Sequence, residues 1–200
     1  MLFPRDIPII VPHVPRSNLL GADMARLLRS VGFTRVLEPE WFSSPVTIGD
    51  FEIHVLPFYG EQPLRDENPR HPDLRNWGNT YYLRSPQSSS WFLIDSGDDP
   101  RGRMAEVAEH VASRLGGVDY LLSNLNVFGV GAGEGSPDYI TGVGHYWLSL
   151  QASQMARFSS LCGQPITLGP SGVAEVARIA RPKAFLPYAH WWSAAGSRPQ

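Results

Sequence analysis

Cysteine is nearly absent from this chain: Cys162 is alone among 200 residues. A lone thiol forms no internal disulfide and no cysteine-based zinc cluster, and it suits a reducing compartment. No apolar run approaches the roughly 20 residues that cross a bilayer. The opening MLFPRDIPIIVPHVPR has neither the basic start nor the long apolar core of a secretory signal. No Asn-x-Ser/Thr sequon occurs. Charge of either sign is scarce, with a net of −2 and a pI of about 6.3. That balance supplies no basic footprint for nucleic acid and no basic face for an anionic membrane. The expectation is a cytoplasmic protein without nucleic-acid or membrane partners. Two nucleotide and acyl-transfer signatures are missing as well. The glycine run from Gly129 to Gly135 has no following lysine, so it makes no phosphate loop. No G-x-S-x-G nucleophile elbow occurs.

What is present suffices for a core. The chain is 42% hydrophobic and 11% aromatic, a composition of folded domains. Its 19 glycines and 18 prolines follow no period, which indicates many turns and no repeat. Ile7–Val11 reads as a short buried strand. Ser17 or Asn18 can cap a helix carrying Leu20, Met24, Leu27, Leu28 and Val31 at helical spacing. Arg35–Leu37 is a second short strand. Val46–Ile48 and Phe51–Leu56 flank Gly49-Asp50 as a hairpin. Its Phe51, Ile53 and Val55 are expected to face a core, with His54 in solvent. Thr80–Leu83 and Trp91–Ile94 make a second hairpin. Met104, Val107, Ala108, Val111, Ala112 and Leu115 share one helix face, which leaves His110 on the polar side. A strand at Val118–Ser123 follows, then helical spacing at Leu148, Ala152, Met155 and Phe158. A short helix at Val173–Ala180 and a last strand at Ala184–Leu186 complete the order. The pattern is α/β, with a mixed sheet and flanking helices.

Three chemistry-bearing residues follow strands, where side chains of a layered α/β protein converge on one rim. Glu61 follows LPFYG, Asp95 ends WFLID, and His190 follows AFLPYA. Two carboxylates and an imidazole make a ligand set for a divalent metal. Each has an alternative reading: Glu61 as a solvated loop residue, Asp95 as a cap of the Ser96–Pro100 turn, and His190 as a surface histidine beside Trp191 and Trp192. Trp77, Tyr188, Trp191 and Trp192 are candidates for a pocket wall. His13 and His145 follow loop or strand ends and are secondary candidates, while His71 sits in a charged loop. Cys162 stands among apolar residues and reads as structural.

The strings VTIGDFEIHVLPFYGEQP, GNTYYL with WFLIDSGDDP, VDYLLSNL and RPKAFLPYAHWW, in that order, resemble the metallo-β-lactamase-fold superfamily. The resemblance runs from about residue 5 to residue 192. It implies αββα-type layers and metal-ligand roles for Glu61, Asp95, as the bridging carboxylate, and His190. The family signature H-x-H-x-D-H is absent, and SNLNVFG, which holds no histidine, does not replace it. The resemblance therefore implies a C-terminal portion of a longer protein: one domain over residues 1–195, incomplete at its N-terminus, and a disordered tail over 196–200. Glu61 stands where zinc hydrolases of this fold carry histidine. A glutamate there resembles the diiron branch, whose β-hydroxylases oxygenate carrier-bound amino acids. The cofactor so implied is a divalent metal, iron or manganese ahead of zinc, because carboxylate ligands suit harder ions. The substrate so implied is a small or carrier-bound molecule. The expected function is a hydrolase-like or diiron-oxygenase-like fragment, inactive without the absent motif. The alternative is a non-catalytic remnant or partner-binding fragment, self-associating or paired with a chain that supplies the other half.

Overall fold

A computed structural model of the chain describes residues 3–14, 23–60, 77–99, 101–125, 129–130, 164–165 and 167–188. The elements, in order, are β1 (Ile9–Ile10), α1 (Met24–Ser30), β2 (Val36–Leu37), β3 (Val46–Ile48), β4 (Phe51–Pro57), β5 (Asn79–Arg84) and β6 (Ser89–Leu93). They continue with α2 (Met104–Arg114), β7 (Tyr120–Asn124), β8 (Gly129–Val130), β9 (Gln164–Pro165), α3 (Gly169–Ala180) and β10 (Ala184–Tyr188). The expected helix around Leu148–Phe158, the remaining glycine run and the 196–200 tail lie outside the described residues.

Six strands form one mixed sheet in the order β10-β7-β6-β5-β4-β3. β10, β7 and β6 are parallel, and β5, β4 and β3 continue antiparallel. The two halves arise from local chemistry. Gly49 takes φ +59, so the β3–β4 connection closes in two residues. The Ser85–Ser89 turn closes β5 on β6 through the Ser85 amide, which donates to the Ser88 carbonyl at 2.8 Å. A parallel step needs a crossover, and α2 supplies it between β6 and β7. Its start is fixed by Asp98, whose Oδ1 accepts the Met104 amide at 2.8 Å. α3 has Pro170 in its first turn, where a missing N–H costs nothing. It ends at Arg181 in the left-handed conformation, φ 51, with its amide on the Ala177 carbonyl at 2.8 Å.

The core lies on the sheet face that meets α2 and α3. Leu56, Tyr82, Trp91, Leu93 and Leu121 pack there against Met104, Val107, Val111 and Val176. Burying each such aliphatic side chain contributes about 1.5–3 kcal/mol. The Trp91 indole N–H donates to the Thr80 hydroxyl at 3.1 Å, and that hydroxyl donates to the Pro57 carbonyl at 3.2 Å. β1 and β2 form a separate parallel pair. With α1 they enclose a small cluster of Val11, Ala25 and Val36. The Tyr81 hydroxyl donates to the Ile10 carbonyl at 3.3 Å and ties this unit to the main sheet.

Several sequence expectations change. α1 is capped by Asp23, whose side chain accepts the Arg26 amide at 2.9 Å; Ser17 and Asn18 lie outside the described residues. The apolar stripe of α1 holds only in part: Leu28 packs against the small cluster beside buried Ala25, while Met24, Leu27 and Val31 are exposed. The hairpin is buried on both sides toward the end of β4, where Val55 is 2% exposed on the expected face. Leu56 and His54 share the helix-covered face, whereas Phe51 is 49% exposed. The alternation was read correctly, but two-sided apolar content made its sense ambiguous. His54 is therefore no solvent group. Its side chain is only 15% exposed, its ring meets Tyr82 edge-on at 5.6 Å, and its Nε2 is buried without a hydrogen-bond partner among the described residues. His110, expected on a polar helix side, meets the Phe42 ring at 4.6 Å with the two rings tilted by 54°.

Two outcomes are expected. Trp91→Phe leaves the buried Thr80 hydroxyl without its indole donor and should lower stability by about 1–3 kcal/mol; an unchanged urea midpoint would contradict this. Burial and then Arg84 push the His54 pKa down from 6.5, against Glu52 beside it, and burial and then Arg114 lower that of His110. Folding thus favours both neutral rings. Their contribution is fully present above pH 6.5 and is lost as pH falls below it toward the lowered native values. His54→Phe should flatten the stability-versus-pH curve in that window, which urea melts from pH 7 down to about 5 measure.

Candidate functional site

The strand directions decide where chemistry can gather. β4, β6, β7 and β10 all run the same way, so their C-terminal ends share one rim. Asp95 stands on that rim two residues beyond β6. The strands leading to Glu61 and His190 end on the same rim at Pro57 and Tyr188. Glu61 and His190 themselves lie outside the described residues, as do Trp191, Trp192, His71, His145 and Cys162. With strands about 4.8 Å apart, the ends of β4 and β10 each lie two strands, or about 10 Å, to either side of β6.

The exit of β4 does not point straight out. The Gly60 amide donates to Asp99 Oδ2 at 3.1 Å, and the Gly97 amide donates to the Tyr59 carbonyl at 2.8 Å. These bonds bend the β4 exit across the start of β5 and onto the loop that follows Asp95. Gly102 permits the approach: a Cβ there would fall 2.4 Å from the Tyr59 ring. In this loop the neighbours of Asp95 accept backbone N–H groups. Asp99 Oδ1 accepts the Arg101 amide at 2.7 Å, and Asp98 caps α2.

Asp95 has a different arrangement. It takes φ 55, a conformation that costs most residues about 1–2 kcal/mol and that Asp and Asn tolerate best. Its amide donates to Asn124 Oδ1 at 3.0 Å. Asn124 ends β7 and is buried, as are Ser96, Ser123 and Thr167 nearby in the chain's rim segments. The Leu168 amide donates to the Ser96 carbonyl at 2.9 Å, which brings the lead into α3 onto the same loop. Sequence reasoning missed this polar set. The signal was the abrupt Ser123-Asn124 after YLL, polar residues at the buried end of an apolar strand.

An aromatic group flanks the rim. Trp41 meets Tyr59 edge-on at 5.7 Å and Trp77 at 5.5 Å, and the Arg101 guanidinium lies 5.2 Å over the Trp77 ring. The Trp41 indole N–H is shared between the Gly78 carbonyl at 3.1 Å and Asn79 Oδ1 at 3.0 Å. Trp77, a candidate pocket wall, belongs to this stack, and Tyr188 is exposed at the end of β10.

The donor set can be weighed for a metal. Among the described residues no group of three His, Cys, Asp or Glu side chains could hold an ion. The nearby carboxylates of Asp98 and Asp99 accept backbone amides, and Asn124 Oδ1 already receives a backbone N–H. The described rim therefore contributes one anionic ligand and does not by itself complete a metal site. The left-handed backbone at Asp95 has a measurable consequence. Asp95→Ala should be less stable than Asp95→Gly by about 1 kcal/mol, because only glycine adopts that φ without penalty; equal melting curves would contradict it.

No protein-family model matches the chain, and no curated protein matches it. Solved structures do. The diiron β-hydroxylase CmlA from Streptomyces venezuelae aligns over 91% of this chain at 20% identity with a TM-score of 0.60. A variant of CmlA β-hydroxylase aligns over 91% at 19% identity with a TM-score of 0.63. A possible metal-dependent hydrolase from Veillonella parvula aligns over 91% at 13% identity with a TM-score of 0.51. The chain spans 30% and 31% of the two β-hydroxylase chains and 52% of the hydrolase. Among the described residues no helix is long and apolar enough to cross a membrane. At these identities the likeness is one of architecture: the six-stranded mixed sheet with α2 and α3 on one face is a part of the metallo-β-lactamase fold, as the sequence resemblance implied.

Proposed function

We propose that this chain is a fragment of a metal-dependent metallo-β-lactamase-fold enzyme, hydrolase-like or diiron-oxygenase-like, acting on a small or carrier-bound substrate and inactive alone. The observation that carries the reading is the position of Asp95, on the rim where four strands end, held in a left-handed turn by Asn124. Glu61 and His190 are the proposed companion ligands, each following a strand that ends on that rim. The bend of the β4 exit toward the Asp95 loop supports the role of Glu61. A divalent metal held there would polarise a substrate oxygen and acidify bound water, or as iron would support oxygen chemistry. Iron or manganese is favoured over zinc because two of the three ligands are carboxylates.

A second reading has its own support. The sheet face away from α2 and α3 exposes Phe51, Tyr120, Leu186 and Tyr188, and the chain spans only part of the structures it resembles. A non-catalytic fragment that self-associates, or that pairs with a chain supplying the other half, would cover that face. Light scattering across a dilution series distinguishes the two, since only this reading requires an assembly.

Three ligands shared between two metals leave each ion short of the usual three protein ligands per ion. The purified chain, desalted, should therefore carry well under one equivalent of metal by elemental analysis. Titrated iron(II) should bind weakly, and more weakly still in Asp95→Ala, Glu61→Ala and His190→Ala. Glu61→His should shift the remaining preference toward zinc. Tight stoichiometric metal in the wild type, or iron binding untouched by all three substitutions, would overturn the assignment.

A further inference from the structure

The rim opposite Asp95 holds a cleft of about 1090 Å³. It opens where β5 ends, where β6, β7 and β10 begin, and where α2 and α3 terminate. Four cations line it: Arg84, Arg178, Arg181 and Lys183. Two of them are matched. Lys183 pairs with Asp119 at 2.7 Å, and Arg84 lies 3.5 Å from Glu52. Arg178 and Arg181 have no anionic partner among the described residues, and both are exposed.

Helix C-termini attract cations through their free carbonyls, so the arginines need a comparison with that demand. At α2 part of that demand is met by other groups. The Leu115 carbonyl accepts from Arg84 at 2.5 Å and from the Tyr82 hydroxyl at 3.3 Å, and the Gly117 carbonyl accepts from Tyr82 at 2.9 Å. At α3 the Ala177 carbonyl receives the Arg181 amide. Arg181 also lies past the helix end, locked at φ 51, which fixes the direction in which its side chain leaves the backbone. One wall of the cleft is side-chain free: Gly116 and Gly117 take φ +79 and +88, and a Cβ at Gly116 would meet nothing within 4 Å. Backbone without side chains leaves room for a ligand beside the arginines, while the Gly117 N–H itself is taken by the Val111 carbonyl at 3.0 Å.

We propose that this cleft binds a phosphorylated small molecule, with its phosphoryl oxygens on Arg178 and Arg181. Guanidinium groups present paired N–H donors that match phosphate geometry. The volume exceeds what a phosphate group fills and accommodates an organic body, for which Ile179, Val118 and Pro86 offer apolar walls. The site is independent of the Asp95 rim and of any metal there.

Calorimetric titration of the 200-residue chain with inorganic pyrophosphate, at ionic strength matched with KCl, tests it. Saturable binding is expected. The double substitution Arg178→Ala with Arg181→Gly should weaken it about tenfold or more, the loss expected for two charge-assisted contacts. Glycine is chosen at 181 because it retains the left-handed backbone. Arg114→Ala, an exposed cation outside the cleft, and Asp95→Ala, on the other rim, should both leave binding within about twofold. If the double variant fails to fold, Arg178→Glu alone makes the same comparison on an exposed helix position. No saturable heat above the KCl baseline, or equal binding by the arginine variants, overturns the proposal. Loss of binding in Asp95→Ala overturns it too, by moving the phosphate to the opposite rim.

Discussion

One carboxylate sets the register of the parallel half of the sheet. Asp119, just before β7, accepts the Ser89 amide at 2.7 Å and the Ser89 hydroxyl at 3.1 Å through Oδ2. Its own amide returns a bond to the Ser89 hydroxyl at 3.0 Å, and its carbonyl accepts the Ala184 amide at 3.0 Å. Lys183 closes the group at 2.7 Å and, with the Ser89 bonds, holds the Asp119 carboxyl below its ordinary pKa. The starts of β6, β7 and β10 are thereby fixed against one another. Since strands of fixed start and similar length end together, Asp119 on one rim determines where Leu93, Asn124 and Tyr188 finish on the other. The geometry of the Asp95 region is inherited from an ion pair at the far side of the sheet.

Much of this was legible beforehand. WFLID and VDYLLS announce strands by β-branched and aromatic content, and the Met104–Leu115 spacing announces α2 with the correct buried face. The order of elements suffices for a mixed α/β sheet, and the family resemblance agrees with the architecture. What escaped is instructive. Of Phe51, Ile53 and Val55 only Phe51 is exposed, yet the helices cover the opposite side, which carries His54 and Leu56. Alternation reports that two faces differ and leaves open which one meets helices. The burial of His54 depends on Tyr82 and α2, partners far away in sequence. Asn124 escaped because a neutral amide carries no motif, and its meaning appears only when β7 places it beside the Asp95 amide.

The Asp95 rim and the arginine cleft differ in electrostatic character. The first concentrates carboxylates and buried neutral polar groups, with Asp98, Asp99 and Asp95 within one loop. The second carries two unmatched guanidinium groups. Such a division of charge between the two ends of a sheet costs little in a chain whose net charge is only −2. It lets one small layer of secondary structure present two surfaces with opposite ligand preferences. The fold does not demand this, since the cations lie on exposed helix ends and turns where most residues are tolerated.

Among the described residues, the buried cluster of the β1–α1–β2 unit is Val11, Ala25 and Val36. Its backbone bonds, Ile9 amide to Arg35 carbonyl at 2.9 Å and Val11 amide to Leu37 carbonyl at 3.0 Å, sit over that small cluster. Free energies of local opening scale with the apolar area that a segment must expose. This unit would therefore exchange its amide protons through a sub-global opening of its own, while those of Leu93 and Leu121 exchange only when the whole sheet unfolds. On this reading the weaker of the two clusters lies in the N-terminal part of the chain.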